Sequence, residues 1–378
     1  MVITRTPYRI SFFGGGTDYP SWYRIHGGQV MATTIDKYCY ISARYLPPFF
    51  DHNFRVVYSR IENCRTVDEI QHPAVRECLK YLNVEQGLEV HHDGDLPARS
   101  GLGSSSSFVV GFLHALHALQ GTIPTKDRLA HDAIYMEQAR LRETVGSQDQ
   151  VLAAHGGCQR IEFLPNDEIR LTPLTLHRER LEALNSYLML FFTGIKRTAT
   201  MIARSYASDV ASVEQQLRTM GSMVEEAFQI LAGGTDLRAF GRLLHEGWRA
   251  KRSLSQHVSN SVVDEIYEAA LSAGAIGGKL IGAGGGGFML LFVQPSDHER
   301  VKERLHKLVH VPFRFEHGGS RIIFFDPGED YSAQARLRLA RPVEAFQDAT
   351  PEVLVRAAVG KGIDPPVTLC TRRSKRSR

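Results

Sequence analysis

The sequence contains no G-x-x-x-x-G-K-[ST] stretch, which removes the phosphate loop whose lysine reaches the terminal phosphates of a nucleotide. No G-x-G-x-x-G opens a βαβ unit with an acid about 20 residues further on, so the dinucleotide fingerprint is missing as well. There is no apolar run of about 18 residues, and no membrane span is expected. The opening stretch MVITRTPYRIS lacks a charged start followed by an apolar segment, so export by a signal peptide is not expected. Cysteine is scarce: Cys39, Cys64, Cys78, Cys158 and Cys370 are odd in number and scattered. They form neither a metal spacing nor a disulfide framework, which suits a reducing cytoplasm.

What is present is a soluble, globular composition, 43% hydrophobic and 23% charged. At 378 residues the chain exceeds one ordinary core, and two domains are expected. The net charge of +4 is a property of one end. The last eight residues, TRRSKRSR, hold five positive charges, and without them the chain sits near −1. Such a tail can bind nucleic acid or an anionic surface, but solvated disorder is the plainer expectation, and nucleic acid is not an expected partner.

The first hundred residues are β-rich, with TPYRISFF, QVMATTI, KYCYISARYL and GLEVHHD as strands. Phe108, Phe112, Leu116 and Leu119 then form one helical stripe. A second helix starts at Thr125 as N-cap and ends before TVGSQDQ, a turn-like stretch. A new unit begins near residue 185: the strand SYLMLFFTG, a long helical segment to about 234, and the helix DLRAFGRLLHEGWRAKRSLS. Two strands around GAGGGG and a last strand RIIFFD follow, then an appendage with one short helix, PEVLVRAAVGKG. Without a βαβ rhythm, the mixture predicts an α+β fold.

In DLPARSGLGSSSSF, residues 95–108, two glycines and four serines open directly into the Phe108 helix. Glycine lets backbone approach a ligand closely, and a helix start offers N–H groups and a favourable dipole end. This describes an anion nest for a phosphate, with hydroxyls as further donors. A flexible linker has similar composition but would not lead straight into a patterned helix.

PYRISFFGGGTDYP at 7–20, LPARSGLGSSSSF at 96–108 and LIGAGGGGF at 280–288 resemble the three signature motifs of the GHMP small-molecule kinases, in the family's order. The resemblance implies an N-terminal domain like the second domain of ribosomal protein S5 over 1–184. It further implies a ferredoxin-like domain over 185–335, with 336–378 left as an extension. ATP, Mg2+ and substrate would meet between the two domains. Ser100, Gly101, Leu102, Gly103, Ser104, Ser105, Ser106 and Ser107 would then wrap the nucleotide phosphates in place of a phosphate-loop lysine.

Phosphoryl transfer asks for a metal ligand, a group near the attacking hydroxyl and cations facing the phosphates. By the same resemblance Glu137 and Ser105 hold magnesium, with Glu143 the rival acid because the helix register is open. Asp149, in GSQDQ, orients the hydroxyl to be phosphorylated, and Arg9 pairs with it. Read without the family, Asp149 would cap a turn and Arg9 would be a surface residue.

For the substrate, Gly15 and Gly16 stand where galactokinases carry a glutamate and a histidine before Thr-Asp, which disfavours galactose and makes room. Thr17, Asp18 and Gln148 are expected at the sugar, with Gly284 and Gly285 shaping the site. Lys196 and Arg197, at a Thr-Gly turn, could receive a phosphate already on the substrate. The combination is most similar to the bacterial D-glycero-D-manno-heptose 7-phosphate kinases of the family, which phosphorylate the anomeric oxygen. Two other readings stay open: a kinase for an unphosphorylated sugar such as fucose, or a sensor or nucleic-acid binder on an inactive scaffold. A homodimer is compatible with the sequence.

Overall fold

Runs rich in β-branched and aromatic residues become the strands of two sheets. The structure, a computed structural model, describes residues 1–328 except Arg99 and 196–209, together with 331, 333, 334, 336 and 337. Met1–Tyr331 make one compact unit. The first sheet contains β1 (Val2–Phe13), β2 (Gly28–Tyr45), β3 (Phe54–Val57), β4 (Ile61–Cys64), β5 (Leu88–Gly94), β6 (Cys158–Phe163) and β7 (Ile169–Pro173). The second contains β8 (Leu188–Phe192), β9 (Ala275–Leu280), β10 (Phe288–Val293) and β11 (Val309–His310), in the order β11-β8-β10-β9. The chain then returns to the first sheet: β12 (Phe315–Glu316) pairs with β2, and β13 (Arg321–Phe325) pairs antiparallel with β1.

The helices are α1 (Pro20–His26), α2 (Pro73–Tyr81), α3 (Ser104–Leu119), α4 (Lys126–Tyr135), α5 (Gln148–His155) and α6 (Arg178–Ser186). They continue with α7 (Glu214–Ala232), α8 (Arg238–Arg252), α9 (Ser261–Ser272) and α10 (His298–Arg304). The result is the expected α+β architecture. Thr125 caps α4, its hydroxyl accepting from Arg128 N at 3.1 Å, as its position before the helix predicts. All six residues of β10, FMLLFV, are buried, because an unbroken apolar run in a strand needs cover on both faces. No helix among the described residues is long and apolar enough to cross a membrane. Cys39, Cys64, Cys78 and Cys158 are buried and unpaired.

Three expectations change. QVMATTI and KYCYISARYL are one continuous strand; Asp36 and Lys37 at their junction shift its register against β1 between Pro7 and Tyr8, and there Asp36 N donates to Arg314 O and Arg314 N to the Asp36 carboxylate. The second predicted helix stops being α-helical at Tyr135 and widens into a π-helical turn, Met136–Arg140. GSQDQ is a helix start rather than a turn, since Gln148–Asp149–Gln150 form the first turn of α5. Of the long helical segment a 3-10 turn, Val210–Val213, and α7 are described, and PEVLVRAAVGKG and the basic tail lie outside the described residues. Sequence periodicity was too weak to foresee the short β3, β4, β6 and β7.

Close packing onto the second sheet depends on missing side chains. A Cβ at Gly277 of β9 would lie 2.1 Å from the Gly241 carbonyl oxygen of α8, so helix and strand touch backbone to backbone. Gly277→Ala is expected to cost about 1–3 kcal/mol by overpacking, measured by urea unfolding; an unchanged midpoint would show that α8 can move away freely.

Candidate active site

The site is built where β1, the loop into α3, the π-helical turn and the first turn of α5 converge. Gly103 ends the loop in the left-handed region (φ 76°, ψ 26°) and serves as N-cap of α3 without a side chain. The first helical backbone bond runs from Ser107 N to Gly103 O, which leaves the preceding N–H groups outside the helical ladder, the arrangement that suits an anion. Gly101 is also left-handed, at φ 90°. The Arg9 backbone N–H donates to Leu102 O at 3.0 Å and its Nη1 to Gly101 O at 2.7 Å, so β1 holds the loop by main chain and side chain together.

Below the loop, Arg9 and Asp149 form a two-pronged ion pair. Nε donates to Oδ1 and Nη2 to Oδ2, each at 2.6 Å. The Arg9 side chain is 7% exposed and that of Asp149 is 22% exposed, so the carboxylate faces outward while its partner is enclosed. Such a fork fixes a carboxylate in orientation as well as position. Each carboxylate oxygen has lone-pair capacity beyond one bond, so Asp149 can still accept from a substrate hydroxyl. A Cβ at Gly103 would sit 3.2 Å from Arg9 Cγ and 3.3 Å from Asp149 Oδ2, which places the loop backbone directly on the pair.

Asp18 is buried, and both of its oxygens are occupied by its own chain. Gly16 N donates to Oδ1 at 2.9 Å, while Gln148 donates to Oδ2 from Nε2 at 2.9 Å and from N at 3.3 Å. Burial pushes the Asp18 carboxyl upward and the bond from Gly16 N holds it back, with the Asp149 charge adding to the rise. Asp18 and Gln148, both expected at the sugar, are thus brought together. Asp18 anchors the loop to α5. Thr17 also turns inward: its one hydroxyl proton lies between Gly14 O at 2.8 Å and Gln29 O at 2.9 Å, and the oxygen accepts from Gln29 N, closing the glycine turn. Gly15 lies beside Gln148, where a Cβ would meet Nε2 at 3.7 Å; one at Gly16 would meet Leu217 Cδ2 of α7 at 2.9 Å.

Glu137 sits on the π-helical turn and is 1% exposed. Its Oε2 accepts from Ser106 Oγ at 2.6 Å and from Gln150 Nε2, whereas Oε1 is buried without a partner. Burial raises its carboxyl to about 7; the Ser106 bond opposes this, and the Glu143 charge adds to it. The serine beside Glu137 is therefore Ser106. Ser105, chosen from the sequence, is exposed, because from a helix start at 104 it is residue 106 that turns toward the core. Glu143 is exposed as well and leaves the interior to Glu137. An inward carboxylate oxygen with no donor is what a cation needs, so Glu137 and Ser106 fit one. Among the described residues no three His, Cys, Asp or Glu converge on a metal position. Magnesium commonly takes one or two carboxylates and fills its shell with phosphates and water.

The third glycine stretch meets the serine loop at Gly287. A Cβ at Gly287 would lie 2.2 Å from Ser100 O, whereas one at Gly284 would lie 2.6 Å from Val258 O, and Gly285 N donates to that same carbonyl. Gly284 and Gly285 thus pack on the turn before α9, and the contact between the motifs is Gly287 on Ser100. Lys196 and Arg197 lie outside the described residues. The sequence reading missed Gln150; its signal is the pair of glutamines flanking Asp149, which on a helix point to two sides.

A helix mouth free of a phosphate-loop lysine, an oriented carboxylate below it and a cation-ready acid beside it define a phosphotransferase for an alcohol acceptor. The GHMP kinases N terminal domain matches residues 69–157 and the GHMP kinases C terminal domain matches residues 200–310. The chain belongs to the GHMP kinases, the ATP-dependent family its three motifs resemble. It is 29% identical over 315 residues to a D-glycero-alpha-D-manno-heptose 7-phosphate kinase of Campylobacter jejuni, covering 80% of this chain and 93% of that one. It is 26% identical to a galactokinase of Thermococcus kodakarensis, covering 80% and 92%. The fold matches a crystal structure of a D-glycero-D-manno-heptose 1-phosphate kinase from Bacteriodes thetaiotaomicron with a TM-score of 0.71 at 24% identity, covering 86% of this chain and all of that one.

The enclosure of Glu137 carries a pH signature. The unfolded carboxyl ionises near 4.5 and the folded one near 7, so the wild type is stabilised at acid pH and loses that contribution as pH rises through 7. Glutamine does not titrate. The stability of Glu137→Gln relative to wild type should therefore rise by about 3 kcal/mol between pH 4.5 and 8, read from denaturant midpoints without added metal. A flat difference would show that the acid is not enclosed.

Proposed function

We propose that this kinase transfers the γ-phosphoryl group of ATP to the anomeric hydroxyl of D-glycero-D-manno-heptose 7-phosphate, giving the 1,7-bisphosphate. The observation that carries the reading is the Arg9–Asp149 fork directly beneath Gly103. It places an aimed carboxylate beside a phosphate cradle. The loop amides and serine hydroxyls bind the polyphosphate, and Asp149 holds the hydroxyl proton so that the oxygen lone pair points at the γ-phosphorus. A new oxygen–phosphorus bond forms as the β,γ-bridging bond breaks, and ADP takes the electron pair. Orientation is the main service here, because an anomeric hydroxyl is more acidic than other sugar hydroxyls and needs little help to lose its proton. Glu137 and Ser106 would hold Mg2+, which when bound neutralises charge on the β- and γ-phosphates.

The choice of a heptose phosphate is supported by likeness to the Campylobacter enzyme along nearly its whole length and by glycines at 15 and 16, where galactokinases carry a glutamate and a histidine. Likeness to the Thermococcus galactokinase, of almost equal extent, favours a second reading, a kinase for an unphosphorylated sugar. An assay of ADP release against heptose 7-phosphate, galactose, fucose and mevalonate separates them. Turnover of heptose 7-phosphate should exceed the others by at least about tenfold in kcat/KM, and a preference for a free hexose would replace the first reading by the second.

Two variants follow from this assignment. Asp149→Asn should keep ATP-analogue binding but lose at least about a hundredfold in kcat; near-normal turnover would remove Asp149 from the centre of the reaction. Changing Lys196 and Arg197 together to alanine should raise KM for the phosphorylated sugar about tenfold while leaving KM for ATP unchanged. Equal losses would show that these cations do not meet the sugar phosphate.

A further inference from the structure

We propose that Lys279 is a positioning residue for the transfer, a strut from the second sheet that sets the exit of β1 and with it Arg9 and the Gly14–Asp18 loop. The inference rests on the kinase reading above. Lys279 belongs to β9 and is 5% exposed, and its Nζ donates to Phe12 O at 2.7 Å. Phe12 lies three residues after Arg9 and two before Gly14, at the point where β1 gives way to the loop carrying Asp18. The chain there has little freedom of its own: Gly14 is left-handed at φ 79°, and a Cβ on it would lie 1.9 Å from Gln29 O. β9 also runs into the third glycine stretch, whose Gly287 abuts Ser100. One side chain thus joins the strand behind the first motif to the strand leading into the third.

The group is chemically costly for so modest a contact. An ammonium has three donors, and among the described residues Lys279 makes this one hydrogen bond and no ion pair. Burial, with the like charge of Arg9 adding, lowers the Lys279 ammonium to about 7. A buried charge without a counter-ion destabilises a fold, and an apolar side chain of similar length is commonly tolerated better. If Lys279 serves packing, its removal should cost stability. If it serves the site, stability and activity should move in opposite directions.

The test compares the full-length wild type with Lys279→Met and Lys279→Arg. Thermal midpoints, steady-state kinetics on heptose 7-phosphate and binding of a non-hydrolysable ATP analogue are measured for each. Lys279→Met should melt at or above the wild-type temperature and bind the analogue within about twofold, yet lose at least about tenfold in kcat, since a misplacement near 1 Å has effects of that size. Lys279→Arg, which keeps a donor within reach of Phe12 O, should recover part of the loss. A Lys279→Met with wild-type kcat, or one whose melting point falls along with its activity, overturns the proposal. So does a Lys279→Arg no better than Lys279→Met. A wild type inactive on every sugar and sugar phosphate would instead overturn the kinase reading and this inference with it, a failure visible without any variant.

Discussion

The first turn of α5 sends three consecutive side chains to three different elements: Gln148 to Asp18 in the loop after β1, Asp149 to Arg9 on β1, and Gln150 to Glu137 on the π-helical turn. At helical spacing adjacent residues are about 100° apart, so a single turn can address three neighbours only if they surround it. That requirement governs the rest of the site. β1 must pass under the turn, the π-helical turn must flank it, and the glycine loop must lie over it closely enough that Gly103 rests on the ion pair.

Each of the three acids so held meets a different electrostatic environment. Asp18 is buried and satisfied by two backbone N–H groups and one amide, a structural anion that ties loop to helix. Asp149 is held by a guanidinium yet remains partly open to solvent. Glu137 is enclosed with one oxygen unanswered, and burial raises its carboxyl to about 7. Separate roles for neighbouring carboxylates follow from environment, as they must when chemically equivalent groups do different work.

Glycines bring the pieces together. Gly287 sits against Ser100 and Gly277 against α8, each at a separation that a Cβ would violate, and Gly103 rests tightly on the ion pair. The three motifs are therefore in register through backbone contact, which is stiffer than contact through side chains. Such stiffness is what an orientation-driven transfer needs.

The sequence by itself determined the fold class and the α4 cap, because these rest on local pattern and residue type, whereas Arg9, Glu137 and Asp149 were singled out through the likeness of its motifs to a family, and the structure brings them together around the first turn of α5. The sequence could not choose Ser106 over Ser105, since one residue of helical phase decides which hydroxyl turns inward and phase depends on where the loop releases the chain. It misread GSQDQ because glycine and serine beside polar residues look like a turn until packing makes them a helix start. Only the tertiary structure tied Asp18 to Gln148, set Gly287 against Ser100 and set Lys279 against Phe12. Those are matches between segments far apart in the chain, and no local pattern encodes the distance across a fold.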